Sequence, residues 1–173
     1  YAFTKAAKLR VPVGVHAEDR QLIESTTACL RSAGNNNVEA HLEAHSPKAE
    51  VKAIDQILKC AERSKVNLHV CHVSTKGGVN MIASAKRSGL PVTCEATPHH
   101  LLLSSKQLKQ VGSIGLTNPP LRSEDDIRSL WLHLQAGIID IIASDHAPHA
   151  LEEKKQRIVW NTAPGIAGLE TLL

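Results

Sequence analysis

Aromatic side chains are nearly missing from this chain. It holds two tryptophans, one tyrosine and one phenylalanine in 173 residues. A core must therefore be built from Ile, Leu, Val and Ala, which dominate the 42% of apolar residues. An excess of charge of either sign is also lacking, with a net of only +3. No basic run carries interleaved aromatics, so nucleic-acid binding is not expected. No apolar stretch approaches the roughly 18–20 residues of a membrane span, and no signal-peptide pattern is visible. The four cysteines, Cys29, Cys60, Cys71 and Cys94, form no CxxC pair. That spacing argues against a disulfide framework or a cysteine-rich zinc site, and reads as reduced thiols of a cytoplasmic protein. Internal repeats and low-complexity linkers are absent as well, which leaves one structural unit. The chain opens at Tyr1, without methionine, inside a helical pattern over residues 2–9, and closes at Leu173 inside an apolar segment. It is expected to be a piece of a longer protein.

What is present alternates. The apolar run over residues 137–143 reads as a buried strand, and Ser144-Asp145-His146-Ala147-Pro148-His149 follows where it stops. Residues 11–15 read as a strand that delivers His16-Ala17-Glu18-Asp19. Residues 66–71 deliver His72-Val73-Ser74-Thr75, and residues 91–96 deliver Thr97-Pro98-His99-His100. Helical spacing fills the intervals, over 19–33, 46–63, 76–88, 104–110 and 123–136. Asn35-Asn36-Asn37 reads as a turn. In the second of these helices Ser46-Pro47 starts an apolar face at Val51, Ile54, Leu58 and Ala61.

Strands separated by helices make βα units of a parallel sheet. A doubly wound sheet collects its ligand at one switch point. Here three strand ends carry metal-type residues, and convergence of several strand ends on one centre is the property of a (β/α)8 TIM-type barrel. A full barrel needs about 250 residues, so four strands make half of one.

Imidazole and carboxylate donors without thiolate favour zinc, manganese or iron. Such an ion lowers the pKa of bound water, and a carboxylate beside it can move a proton between water and a leaving nitrogen. Asp145 is the candidate. His149, past Pro148, would face the same mouth and suit a substrate carboxylate. Asn118, in Asn118-Pro119-Pro120-Leu121-Arg122, offers an amide matched to an amide-like substrate. His69 has opposite parity to His72 and is expected to face the helices. Of the adjacent His99 and His100, at most one is expected to enter the site. A lone strand-end histidine is more often a hydrogen-bonded surface residue, and Pro164-Gly165 alone is merely a turn.

Six motifs in order, His16-Ala17-Glu18-Asp19, Cys71-His72-Val73-Ser74-Thr75, Thr97-Pro98-His99-His100-Leu101, Asn118-Pro119-Pro120-Leu121-Arg122, Ser144-Asp145-His146-Ala147-Pro148-His149 and Pro164-Gly165-Ile166-Ala167-Gly168-Leu169-Glu170, resemble the dihydroorotases of the amidohydrolase superfamily. Glu152-Glu153-Lys154 resembles the long bacterial and archaeal type. The resemblance implies that residues 1–173 are the C-terminal half of a catalytic barrel, strands five to eight with their helices. It implies metal ligands at His16, His72 and Asp145, with Asp145 also the catalytic proton shuttle. It further implies substrate binding by Asn118, His149, Pro164 and Gly165, and one or two Zn2+ ions. The substrates implied are dihydroorotate and N-carbamoyl-aspartate, and the partners a second copy of the chain or aspartate transcarbamoylase. The family's His-x-His motif with its arginine, and its strand-four metal-bridging residue, would lie upstream of Tyr1. The piece alone is therefore expected to be inactive and to bind metal weakly. The rival readings are an allantoinase or hydantoinase, and an inactive amidohydrolase-like partner subunit.

Overall fold

The computed structural model describes residues 1–172. Its elements run α1 (Ala2–Leu9), β1 (Val13–Val15), α2 (Arg20–Ser32), α3 (Val38–Ala44), α4 (Pro47–Ser64), β2 (Leu68–Val70), α5 (Lys76–Arg87), β3 (Val92–Ala96), α6 (Pro98–Leu102), α7 (Ser105–Val111), α8 (Glu124–Gln135), β4 (Ile141–Ile142) and α9 (Leu151–Lys154). Among the described residues the strands form one parallel sheet in the order β1-β2-β3-β4. Every neighbour in the sheet is a neighbour in sequence. That is the connectivity of successive βα units, as the alternation of patterns predicts. No described helix is long and apolar enough to cross a membrane.

One face of this sheet is dry. Leu68, Val70, Val92, Cys94 and Ala96 point from the strands into a cluster with Ile54, Leu58, Ala61, Val79, Ile82 and Leu130 of α4, α5 and α8. Burying Ile54, Leu68 and Ile82 fully contributes about 1.5–3 kcal/mol for each side chain. Helix α5 approaches α4 closely because Gly77 and Gly78 open it. A Cβ on Gly78 would lie 2.6 Å from Ile54 Cδ1 and 3.0 Å from Glu50 Oε1. Asp19, Asn37, Thr75, Thr97 and Ser123 each cap the helix that follows by accepting from a first-turn N–H.

The other sheet face is polar, and it corrects one expectation. His69 does not face the helices. Its neighbours Leu68 and Val70 do, while His69 lies on the polar side with Thr93 and Glu95. Strict alternation from His72 back to His69 fails because His72 has a left-handed backbone, φ 35°. A second expectation is also revised. The run over 137–143 was read as a buried strand, but only Ile141–Ile142 pair, at the sheet edge, and both are nearly half exposed. Asp140 in that run receives Lys86 Nζ at 2.6 Å and the amide of Cys94 at 2.8 Å.

Candidate metal and substrate site

The site is built where the strands end. Besides two helix C-caps, Arg10 and Lys65, the non-glycine residues with positive φ are His72 (35°) and Asp145 (45°). Left-handed backbone at such residues costs about 1–3 kcal/mol and clusters where side chains must be aimed. Both stand within three residues of a strand end, and both are ligand candidates from the sequence.

His16 and His72 meet edge to face, with His16 Nδ1 3.1 Å from His72 Nε2. One proton shared between them makes a hydrogen bond; without it, two lone pairs converge on a common point. His16 Nε2 is held from behind by Glu18 Oε2 at 3.1 Å, and Glu18 is held in turn by His45 Nδ1 at 3.0 Å. Burial alone would raise the Glu18 pKa, but hydrogen bonds from His16 and His45 overcome it and bring it to about 2. The hydrogen bond to Glu18 raises the pKa of His16, whereas burial, and then the nearby His16, lower that of His72. The negative charge of Asp145 acts on His16, His72 and His99 alike, so the three imidazoles and the carboxylate share one region.

His99 is the histidine of its pair that enters. Burial takes its pKa to about 4, and its Nε2 is buried without a hydrogen-bond partner. His100 is an internal strut, bonded to Thr97 Oγ1 at 2.8 Å and Pro119 O at 3.0 Å. The two diverge because residues 98–102 form a helical turn, not the extended chain assumed from the sequence. His72 Nδ1 is a second buried atom without a partner. Orphaned nitrogens on His72 and His99 and the facing nitrogens of His16 and His72 fit a divalent cation of the zinc type. His16, His72 and Asp145 are the residues that would hold it.

His69, Cys71 and Glu95 also bring potential ligand atoms within 4.8 Å of one another. There, however, both ring nitrogens of His69 are engaged, by Thr93 Oγ1 at 2.8 Å and Glu95 Oε2 at 3.0 Å. His69 thus belongs to a cross-strand polar ladder with Thr93 and Glu95, whose Oε1 also accepts from His72 N at 3.3 Å.

Of the residues expected to bind substrate, His149, Pro164 and Gly165 are in contact, and Gly165 N donates to Leu116 O two residues before Asn118. Asn118 Oδ1 is buried and lacks a hydrogen-bond partner, so an acceptor is left open; the Asn118–Pro119 bond is cis. His149 Nε2 lies 3.1 Å from Pro164 O. Gly165 has φ 146°, and a Cβ there would sit 2.8 Å from Ala147 O and 3.0 Å from His149 Nε2. Only glycine lets the turn close onto His149.

Several residues that organise the site were not singled out in the sequence. Glu18 stands two positions after His16, a spacing that could have suggested a shared face. Glu50 and His45 gave no signal. Glu50 is fully buried and accepts from Ser74 N, Ser74 Oγ, Thr75 N and Thr75 Oγ1, fixing the segment that carries His72. Arg122 bridges Glu50, Ser74 Oγ and the carbonyl of His45.

No protein-family model matches the chain. Its fold does match solved structures: L-hydantoinase (dihydropyrimidinase) from Arthrobacter aurescens superposes with a TM-score of 0.93 at 31% identity, over 98% of this chain and 38% of that one. Together with the curated relatives, this places the chain among proteins similar to the cyclic amidohydrolases. The particular similarity is to dihydroorotase. The enzyme of Lactobacillus helveticus is 41% identical over 170 residues, 98% of this chain and 39% of its own length. An allantoinase of Rubrobacter xylanophilus is 34% identical over 169 residues, 98% of this chain and 37% of its own. The resemblance read from the six motifs thus extends over nearly the whole chain, which spans about two fifths of these relatives' length.

Proposed function

We propose that this chain is the C-terminal half of a dihydroorotase barrel, strands five to eight. In the whole enzyme it would interconvert N-carbamoyl-L-aspartate and L-dihydroorotate, a step of pyrimidine synthesis. The observation that carries the reading is that His16 Nδ1 and His72 Nε2 face each other at 3.1 Å, with the negative charge of Asp145 acting on both rings. A divalent metal, expected to be zinc, would polarise the ring carbonyl and acidify water.

In the hydrolytic direction, Asp145 takes a proton from the attacking water as the C–O bond forms. It delivers that proton to the ring nitrogen as the C–N bond breaks. In the reverse direction the same carboxylate removes the proton from the carbamoyl nitrogen that attacks, as microscopic reversibility requires. Asn118 Oδ1 accepts from a substrate N–H. His149, braced on Pro164 O, presents one surface with the Pro164–Gly165 turn to the substrate's carboxylate end. The high structural similarity to a hydantoinase favours a second reading, a hydantoinase- or allantoinase-type ring opening by the same residues.

The test of the assignment is Asp145→Ala in the full-length enzyme. General acid–base catalysis supplies about 10²–10⁴-fold, so kcat should fall by at least that factor while KM moves far less. A variant with near-wild-type kcat would remove Asp145 from the mechanism.

A further inference from the structure

Lys154 is a buried lysine with no carboxylate in salt-bridge range among the described residues. Its ammonium instead points all three hydrogens at main-chain carbonyls: Leu116 O at 3.0 Å, Ala163 O at 2.9 Å and Gly165 O at 2.7 Å. An ammonium has three donors and no more, so its capacity is filled. The acceptors come from two segments remote in sequence. Leu116 lies two residues before Asn118, and Ala163 and Gly165 flank Pro164. Two main-chain bonds complete the clip: Gly165 N donates to Leu116 O at 2.8 Å, and Ala163 N to Glu153 O at 3.2 Å. From the other side, Ser113 Oγ donates to the carbonyl of Lys154 at 2.7 Å.

We propose that Lys154 is a positioning residue that sets substrate affinity by locking the Asn118 and Pro164–Gly165 segments in one register; this rests on the substrate-binding role assigned to them above. Lys154 touches no substrate. It acts through the two carbonyls that flank Pro164 and the one that leads into Asn118, while the same turn braces His149 through Pro164 O. The hydroxyl and amide donors elsewhere in these segments cannot substitute, because burying a cation among three carbonyls is tolerated only when each is a hydrogen-bond partner. Arginine is no substitute either: its donors diverge in one plane from three nitrogens, whereas these three carbonyls converge on the single atom Nζ.

The clip leaves the metal ligands alone. His16, His72 and Asp145 receive no hydrogen bond from Lys154 or from its three acceptors. Loss of the ammonium should therefore appear in substrate binding and not in metal loading. Displacement of positioned groups by about 1 Å costs up to about 10²-fold, so a KM increase of about tenfold or more is expected.

The experiment uses full-length Lys154→Met and Lys154→Arg, with KM, kcat, metal content and amide hydrogen exchange read on each. The expected result is a KM raised about tenfold or more, kcat within about threefold of wild type, and unchanged metal content. Faster exchange should be confined to the peptides around 116–118 and 163–166. Lys154→Arg should share the KM defect; if Lys154→Met does not accumulate, Lys154→Arg alone decides the matter. Wild-type KM in a folded variant overturns the proposal, as does a loss of kcat and metal together. The split is read on whichever cyclic amide the wild-type enzyme turns over. Inertness of the wild type toward dihydroorotate would thus refute the substrate assignment and leave the Lys154 test intact.

Discussion

Replacing Glu50 with alanine should unfasten the segment that carries His72. The carboxylate is fully buried, and five groups converge on it: the amides of Ser74 and Thr75 at 3.1 and 3.0 Å, the hydroxyls of Ser74 and Thr75, and Arg122 Nη2 at 3.5 Å. Arg122 is itself only 4% exposed, so truncation leaves a buried guanidinium without its counter-charge. Removing one partner of a buried pair costs about 3–5 kcal/mol, more than the pair contributes over an apolar replacement. Each orphaned amide adds to the loss, although water entering the space offsets part of it. Arg122→Met in the Glu50→Ala background should recover part of the loss, because it removes the stranded charge. Urea unfolding of wild type, both single variants and the double variant measures the coupling. A loss below about 1 kcal/mol for Glu50→Ala, or additive single variants, would refute this reasoning.

The pH dependence of stability should bear the mark of His41, whose pKa burial lowers to about 4. Between pH 6.5 and 4 the unfolded chain binds a proton that the folded chain refuses. Stability from this group is therefore complete above about pH 6.5, is lost as pH falls, and levels off below 4, a change of about 3 kcal/mol. His99 and His100 shift in the same direction, so wild type should show a steep combined loss. His41→Gln keeps a donor for Thr117 O and should shrink the difference between pH 7 and 4.5 by about 2–3 kcal/mol; an unchanged profile would remove His41 as a contributor.

Much of this architecture is legible in sequence because it is periodic. The β-branched runs ending in His16 and His72, and the face of Val51, Ile54, Leu58 and Ala61, repeat with the period of their elements. What escaped is not periodic. Helix α3 follows directly on Asn37, which was read as part of a turn and is instead its N-cap. Its buried face is Ala40, His41 and Ala44, and a histidine on that face does not register as apolar. His69 was misplaced because a left-handed residue at His72 breaks the two-residue alternation, which nothing in Cys71-His72-Val73 announces. The links from Glu18 to His45, Glu50 to Arg122 and Lys154 to Leu116 join residues 27, 72 and 38 positions apart. Such pairings exist only once the chain is folded.

Steady-state turnover of L-dihydroorotate, allantoin and hydantoin by the metal-loaded full-length enzyme bears most directly on the assignment. The proposed dihydroorotase reading, which the 41% identity to a dihydroorotase favours, predicts that L-dihydroorotate is turned over with the highest kcat/KM of the three. Turnover of allantoin or hydantoin with none of dihydroorotate would contradict it.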